Sequence, residues 1–246
     1  MVLEVDNLVG GYSRIPVLNG ISFKVAAGEL VGLIGLNGAG KSTTIKHIIG
    51  LLQPHSGTIK VAGTTATADP TTYHRQIAYL PETPVLYPEL TLREHIETTI
   101  KAYGLDEKQA WERAHRLLTM FRLINRLDWL PVNFSKGMRQ KVMIICAFIT
   151  DAKLLIVDEP FLGLDPVAIH DFLALIKEKQ QHGTAVLMTT HVLPTAQQVC
   201  DRFVFIQKGH MQVTGTLAEI QTQLAMPDAS LEDIYLHLNQ EAVHHE

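Results

Sequence analysis

Short apolar segments bounded by turn residues dominate the first third of the chain and predict β-strands. These segments are Leu3–Leu8, Ser22–Val25, Leu30–Ile34 and Gly57–Ala62. The segment Leu30–Ile34 is almost wholly apolar, which is typical of a strand buried on both faces of a parallel sheet. A Gly-rich loop follows it, and Lys41–Ile49 then predicts a helix that ends at Gly50, a common residue just beyond a helix.

Helical periodicity replaces this pattern in the middle of the chain. Thr91 and Glu94 have the spacing of a capping box, and further helices are predicted to open at Asp106 and Ser135. The apolar faces of the three helices are Leu92, Ile96, Ile100 and Tyr103, then Trp111, Ala114, Leu118 and Phe121, then Met138, Val142, Ile145 and Ile149.

Strands and helices alternate again after residue 150. The predicted strands are Leu154–Val157, Ala185–Met188, and a hairpin of Val204–Gln207 with Met211–Val213. Asp165 and Pro166 predict the start of a helix that runs to His182. Leu217–Leu224 and Leu231–Leu238 predict amphipathic helices. The whole pattern predicts an α/β core interrupted by a helical block at about 83–150.

Composition and charge exclude several classes of protein. Hydrophobic residues make up 46% and charged residues 19% of the chain, which argues against disorder. A net charge of −4 without long charged runs gives no electrostatic reason to expect a nucleic-acid partner. The longest apolar run, Val142–Ile149, is far shorter than the roughly 20 residues of a membrane-spanning helix. Cys146 and Cys200 lie beside apolar residues and predict buried thiols of a cytoplasmic protein.

A phosphate-binding loop is predicted between the third strand and the first helix. Residues 35–42 have the sequence Gly-Leu-Asn-Gly-Ala-Gly-Lys-Ser, which fits G-x-x-x-x-G-K-[ST]. Glycines let backbone amides surround an anion, and the helix N-terminus adds positive charge. Lys41 would reach the outer phosphates, and the Ser42 hydroxyl would coordinate Mg²⁺. A chance Gly-rich turn is the alternative, but the flanking strand and helix favour phosphate binding.

The strand Leu154–Val157 ends in two acids, Asp158 and Glu159. Ligands of open α/β sheets bind at the carboxyl ends of the strands. Asp158 is therefore a candidate Mg²⁺ ligand, and Glu159 a candidate base that orients or deprotonates a water. A solvated acidic turn is the alternative, which the nearby phosphate loop disfavours.

The chain resembles the ATP-binding subunit of ABC transporters over essentially its whole length. The resemblance rests on the order of the two motifs above together with the segment Phe134–Gln140, Asp165 and His191. GLIGLNGAGKSTTIKHIIGLL and YLPETPVLYPELTLREH resemble the Ecs-type exporter ATPases of Gram-positive bacteria. The resemblance implies a RecA-like P-loop NTPase core with an N-terminal antiparallel β subdomain and an inserted α-helical subdomain. It makes 1–246 one ABC ATPase domain, with 83–150 as the insert and 225–246 as a C-terminal helical tail.

The resemblance also implies roles for individual residues. ATP would be bound by Tyr12, Gly35, Asn37, Gly38, Ala39, Gly40, Lys41, Ser42 and Thr43. Tyr12 would stack on adenine, although a packed strand aromatic is the alternative. Glu159, His191 and Glu82 would be catalytic, and the Mg²⁺ ligands would be Ser42, Glu82 and Asp158. The signature residues Ser135, Lys136, Gly137 and Met138 would contact ATP held by a second copy of the chain, and Asp165 would lie in the loop that crosses this dimer.

Three residues depart from the family pattern. Glu82 stands where most relatives carry Gln. Its negative charge would bind Mg²⁺ more firmly, but it would also add repulsion toward phosphate oxygens. Lys136 replaces a Gly and Met138 a Gln. Lys136 would either add positive charge near the γ-phosphate of the partner or point to solvent.

The resulting hypothesis is a Mg²⁺-dependent ATPase that powers a membrane exporter. It would bind a multi-spanning permease on the inner face of the cell membrane, with no nucleic-acid partner. An importer ATPase, a soluble ABC ATPase and a nucleotide-dependent binding module without turnover remain alternatives. A small GTPase is disfavoured because the sequence has no N-K-x-D segment for guanine.

Overall fold

The computed structural model describes residues 1–161 and 163–241, so the last residues of the predicted tail, 242–246, lie outside the described part. The strands are β1 Leu3–Gly10, β2 Leu18–Val25, β3 Leu30–Ile34, β4 Ser56–Val61, β5 Ile77–Leu80, β6 Leu154–Asp158, β7 Ala185–Thr189, β8 Arg202–Gln207 and β9 His210–Gly215. The helices are α1 Lys41–Ile48, α2 Pro70–Arg75, α3 Leu92–Tyr103, α4 Glu107–Met120, α5 Lys136–Phe148, α6 Pro166–Gln181, α7 Leu193–Val199, α8 Leu217–Gln223 and α9 Leu231–Glu241.

The first strands form a small antiparallel sheet. Its order is β2-β1-β4, and β1 pairs antiparallel with both neighbours. Leu3, Val5 and Leu8 of β1 are buried, while Asp6 and Asn7 face solvent. This one-sided burial is typical of an antiparallel sheet with one solvated face. The predicted antiparallel β subdomain is confirmed.

A larger sheet forms the core of the molecule, with the strand order β5-β6-β7-β3-β8-β9. All neighbouring pairs are parallel except β8 and β9, which form the predicted hairpin. Every residue of β3, β6 and β7 is buried, as expected for parallel strands covered on both faces. The predicted α/β core is therefore confirmed.

The helices α3, α4 and α5 lie inside the range predicted for the helical insert, although its boundaries at 83–150 stay a prediction. The capping box of α3 is confirmed: the Thr91 amide donates to Glu94 Oε2 at 2.7 Å, and the Glu94 amide donates to Thr91 Oγ1 at 3.3 Å. The apolar faces of these helices pack with α6 and one face of the core sheet. In residues 1–161 and 163–241, no helix has the length and apolar character needed to cross a bilayer.

His47 is a buried histidine on the inner face of α1. It is 2% exposed, and its Nδ1 lies 3.0 Å from the carbonyl oxygen of Leu52. Its Nε2 is a buried nitrogen without a hydrogen-bond partner in the described part of the chain, and it faces the backbone of Gly10. Burial lowers the pKa of His47 below its ordinary value, with repulsion from His55 adding to this shift and the Leu52 carbonyl opposing it. The folded protein therefore favours neutral His47.

We expect this histidine to make the folded state sensitive to acid. The pKa of His47 is lower in the folded than in the unfolded chain. Its contribution to the free energy of unfolding is therefore complete above about pH 6.5 and is lost as the pH falls below that value. The loss is at most about 1.4 kcal/mol per pH unit. The urea concentration at the unfolding midpoint should decrease less between pH 7.5 and pH 5.5 for His47→Gln than for wild type. His115→Gln, changed at an exposed histidine that has no part in the His47 shift, should keep the wild-type dependence. Equal slopes in all three proteins would contradict the assignment.

Candidate functional site

The candidate site residues meet at the carboxyl edge of the core sheet. Strand β7 lies between β6 and β3, and Thr189 at its end is level with Asp158 of β6 and Leu33 of β3. The glycine-rich loop leaves β3, the acidic pair leaves β6, and His191 follows β7. Strand β5, on the other side of β6, leads to Glu82. Parallel pairing thus brings together four segments that are far apart in sequence.

The loop of residues 35–40 connects β3 to α1 and carries Lys41 at its end. Lys41 Nζ donates to the carbonyl oxygens of Gly35 at 2.7 Å and Leu36 at 3.1 Å. Glycine is required at two points: Gly40 has a φ of 115°, and a Cβ on Gly35 would clash with the Ile206 carbonyl oxygen on β8. The ammonium group is therefore held at the inner rim of the loop.

Other predicted loop residues differ in exposure. Asn37, Gly38 and Ser42 are exposed, whereas Ala39 and Thr43 are buried. Exposed backbone at the start of a helix leaves amide groups free to bind an anion. The tip of the loop and Ser42 therefore face solvent.

Three carboxylates interact electrostatically with the Lys41 ammonium. Burial of Lys41 lowers its pKa. Three carboxylates oppose this shift through their charge, in decreasing order Glu159, Asp158 and Glu82. The predicted acids of two different strands thus lie within electrostatic reach of the lysine of the loop. Glu82 itself is exposed on the segment that follows β5.

Asp158 is 8% exposed and is held by neighbouring strands. Thr189 Oγ1 of β7 donates a hydrogen bond to Asp158 Oδ1. On the other side, Tyr79 of β5 pairs with Ile156, which places its side chain on the same sheet face as Asp158, two residues further along β6. Burial is the main cause that raises the pKa of Tyr79, and interaction with Asp158 adds to it. Sequence analysis missed Thr189 and Tyr79 as site residues.

Glu159 and His191 form a direct pair. Glu159 Oε2 lies 2.7 Å from His191 Nδ1 and accepts a hydrogen bond from the His191 amide at 3.1 Å. Glu159 has a φ of 47°, a left-handed conformation that costs a non-glycine residue roughly 1–3 kcal/mol. Its amide donates to the Thr189 carbonyl oxygen at 3.2 Å. This backbone turn aims the carboxylate across the end of β7.

Tyr12 lies on the loop after β1 and is 61% exposed. Its ring is close to α1, where Lys46 Nζ donates to the Tyr12 hydroxyl oxygen at 3.1 Å. The alternative expectation, a packed strand aromatic, is therefore wrong. An exposed aromatic ring beside the phosphate loop is free to contact a flat ligand.

The signature residues lie at the start of α5. Ser135 caps the helix through a hydrogen bond from the Met138 amide to its Oγ at 3.3 Å. A Cβ on Gly137 would lie 2.6 Å from the carbonyl oxygen of Gly163, and the exposed Lys136 runs alongside the same glycine. These contacts fix the start of α5 against the loop that precedes α6.

Asp165 continues this contact. It caps α6 by accepting from the Ala168 amide at 2.8 Å, and it pairs with Lys141 Nζ of α5 at 3.1 Å. The Ala168 amide, followed by Lys141, lowers the pKa of the Asp165 carboxyl. The segment predicted to cross a dimer is therefore tied to the signature helix within a single chain.

Comparison with known proteins gives consistent matches. The sequence profile of the ABC transporter family matches residues 18–162. The ABC-type transporter ATP-binding protein EcsA of Bacillus subtilis (strain 168) is 52% identical over 245 residues, covering 100% of this chain and 99% of that protein. The Nod factor export ATP-binding protein I of Rhizobium meliloti (strain 1021) is 34% identical over 87% of this chain and 64% of its own length.

A solved structure of an ATP binding subunit of an ABC transporter superposes with a TM-score of 0.95. It is 51% identical to this chain and covers 97% of it and 100% of the solved chain.

Proposed function

Because the chain belongs to the ABC transporter ATP-binding family, we propose that it hydrolyses ATP with Mg²⁺ and thereby powers a membrane exporter. The observation that carries this proposal is the convergence of Lys41, Asp158 and Glu159 at one edge of the core sheet. Export is favoured by the 34% identity to a Nod factor export protein and by the Ecs-type sequence features.

Triphosphate binding is assigned to the loop before α1. Backbone amides of residues 35–40 and the N-terminus of α1 provide donors for phosphate oxygens. Lys41 Nζ, already at the rim of the loop, would exchange its bonds to the Gly35 and Leu36 carbonyls for phosphate oxygens. This exchange costs little reorganisation because the ammonium is already in place. Tyr12 would stack on the adenine base.

The residues present fit a magnesium ion. Mg²⁺ prefers hard oxygen ligands and is usually bound by one or two carboxylates together with substrate phosphates. The Ser42 hydroxyl and the carboxylates of Asp158 and Glu82 provide such oxygens, and both carboxylates act on the same ammonium. When bound, the ion would neutralise charge on the phosphate oxygens. It would also offset the repulsion that Glu82 adds toward the nucleotide.

Hydrolysis is assigned to Glu159 and His191. An attacking water would form a bond to the γ-phosphorus, the bond to the ADP oxygen would break, and the water proton would pass to Glu159. His191, protonated on Nδ1, would donate to Glu159 Oε2 and leave the second carboxylate oxygen for the water. For a contact with the γ-phosphate, Nε2 would also have to carry a proton and donate it to a phosphate oxygen.

A second copy of the chain would complete each site. Ser135, Lys136, Gly137 and Met138 stand at the accessible start of α5, where the helix N-terminus favours an anion. We assign them to the γ-phosphate held by the partner, with Asp165 in the crossing loop. A multi-spanning permease would bind beside Glu82 and the helices α3–α5, which would place the protein on the inner face of the membrane.

Phosphate release by the purified protein tests the proposal. With ATP we expect steady turnover that stops when EDTA removes Mg²⁺ and returns when Mg²⁺ is added. Co-expression with its multi-spanning permease should give a stable complex, and inverted vesicles carrying that complex should take up cargo only with hydrolysable ATP. Uptake by right-side-out vesicles loaded with ATP would favour an importer. No release under any condition would favour a binding module without turnover.

A further inference from the structure

Lys46 is hydrogen-bonded to Tyr12. Its Nζ lies 3.1 Å from the Tyr12 hydroxyl oxygen and 4.9 Å from the centroid of the ring. The ammonium group therefore lies at the hydroxyl end of the ring and leaves the ring faces open. A charged hydrogen bond thus acts on the exposed aromatic side chain.

The contact joins two separate parts of the molecule. Tyr12 belongs to the loop after β1, whereas Lys46 lies on α1, three residues beyond Thr43 and hence on the same side of the helix. Hydrogen bonding from the Thr43 side chain, then from Lys46, lowers the pKa of Tyr12. Two side chains of the helix that begins at Lys41 thus anchor the ring by its hydroxyl end.

An exposed aromatic side chain loses rotational freedom when a ligand stacks on it, and this loss weakens binding. A ring already fixed by Lys46 has less freedom to lose. The ammonium lies at the hydroxyl end of the ring, so it holds the ring without covering the faces on which a base would stack. The same helix carries the phosphate-binding end, so the distance between ring and phosphate loop is set by one rigid element.

We propose that Lys46 is a positioning residue for adenine, which acts by holding the ring of Tyr12 against α1 at a fixed distance from the phosphate loop. This inference rests on the proposed function, because it requires ATP to bind at residues 35–43 with its base on Tyr12.

Paired affinity measurements test it. Lys46→Met keeps the length and apolar stem of the side chain but removes the ammonium. We expect ATP to bind about three- to tenfold more weakly, because the charged hydrogen bond that fixes the ring is lost. Binding of inorganic tripolyphosphate, which has no base, should change by less than about twofold. The KM for ATP should rise while kcat at saturating ATP stays within about twofold.

Two further variants separate the possible outcomes. Lys60→Met removes the same charge from an exposed position of β4 and should leave both affinities unchanged. In a Tyr12→Ala background, Lys46→Met should have almost no further effect on ATP. Equal weakening of ATP and tripolyphosphate would mean that Lys46 acts directly on phosphates, and unchanged ATP affinity would mean that it has no role; either result overturns the inference. A wild-type protein that binds neither ligand would overturn the proposed function itself.

Discussion

Glu159→Gln is expected to lower kcat for ATP hydrolysis by about 10²- to 10⁴-fold, the usual effect of removing a general base. The glutamine has the same size, and its amide oxygen still accepts from the His191 amide and Nδ1, so the backbone turn at residue 159 and the His191 contact are kept. The phosphate-binding loop is untouched. Affinity for ATP should therefore stay within about threefold of wild type.

Phosphate release and equilibrium binding on the same preparation check this expectation. Glu178→Gln is the matched control, since it makes the same chemical change at an exposed ion pair with Arg116 on another surface. It should hydrolyse ATP at the wild-type rate. If Glu159→Gln does so too, Glu159 is not the base.

Lys41→Met is expected to weaken ATP binding by about 10- to 100-fold, the range for losing a charged hydrogen bond in a binding site. Two effects act together. The phosphates lose a cation, and Glu159, Asp158 and Glu82 lose the positive charge that faces them. The site would then repel phosphate, so the loss should be larger for ATP than for ADP.

Calorimetric titration with each nucleotide measures both quantities. Lys24→Met, at an exposed lysine paired with Glu4 on the antiparallel sheet, removes the same charge and serves as the control. An ATP affinity within about twofold of wild type for Lys41→Met would rule out the proposed phosphate loop.

Local signals explain which elements could be predicted. Thr91, Asp165 and Ser135 each have a side chain that caps the helix after them, and the helices begin where these residues predict. The strand β5 was not predicted because it is short, and α2 has only the cap and Pro70 to mark it. The helix α7 begins at Leu193 after Val192, which provides no side-chain cap, so only Pro194 in the first turn marks its start.

The candidate site divides in the same way. Lys41 and Glu159 belong to contiguous motifs, so their chemistry could be proposed from spacing alone. The Tyr79–Asp158 and Lys46–Tyr12 contacts depend on strand pairing and on the placement of α1 against a distant loop. These contacts could not be predicted from spacing along the chain. Predicting them requires the register of β5 on β6 and the position of α1.

The close approach of Gly137 to Gly163 restricts which residues position 137 can carry. The carbonyl oxygen of Gly163 occupies the space that a side chain at 137 would need. A substitution at 137 is admissible only with a shift of the backbone at 163. A graft of the start of α5 into another scaffold would therefore need either glycine at 137 or a different backbone path at the position of 163.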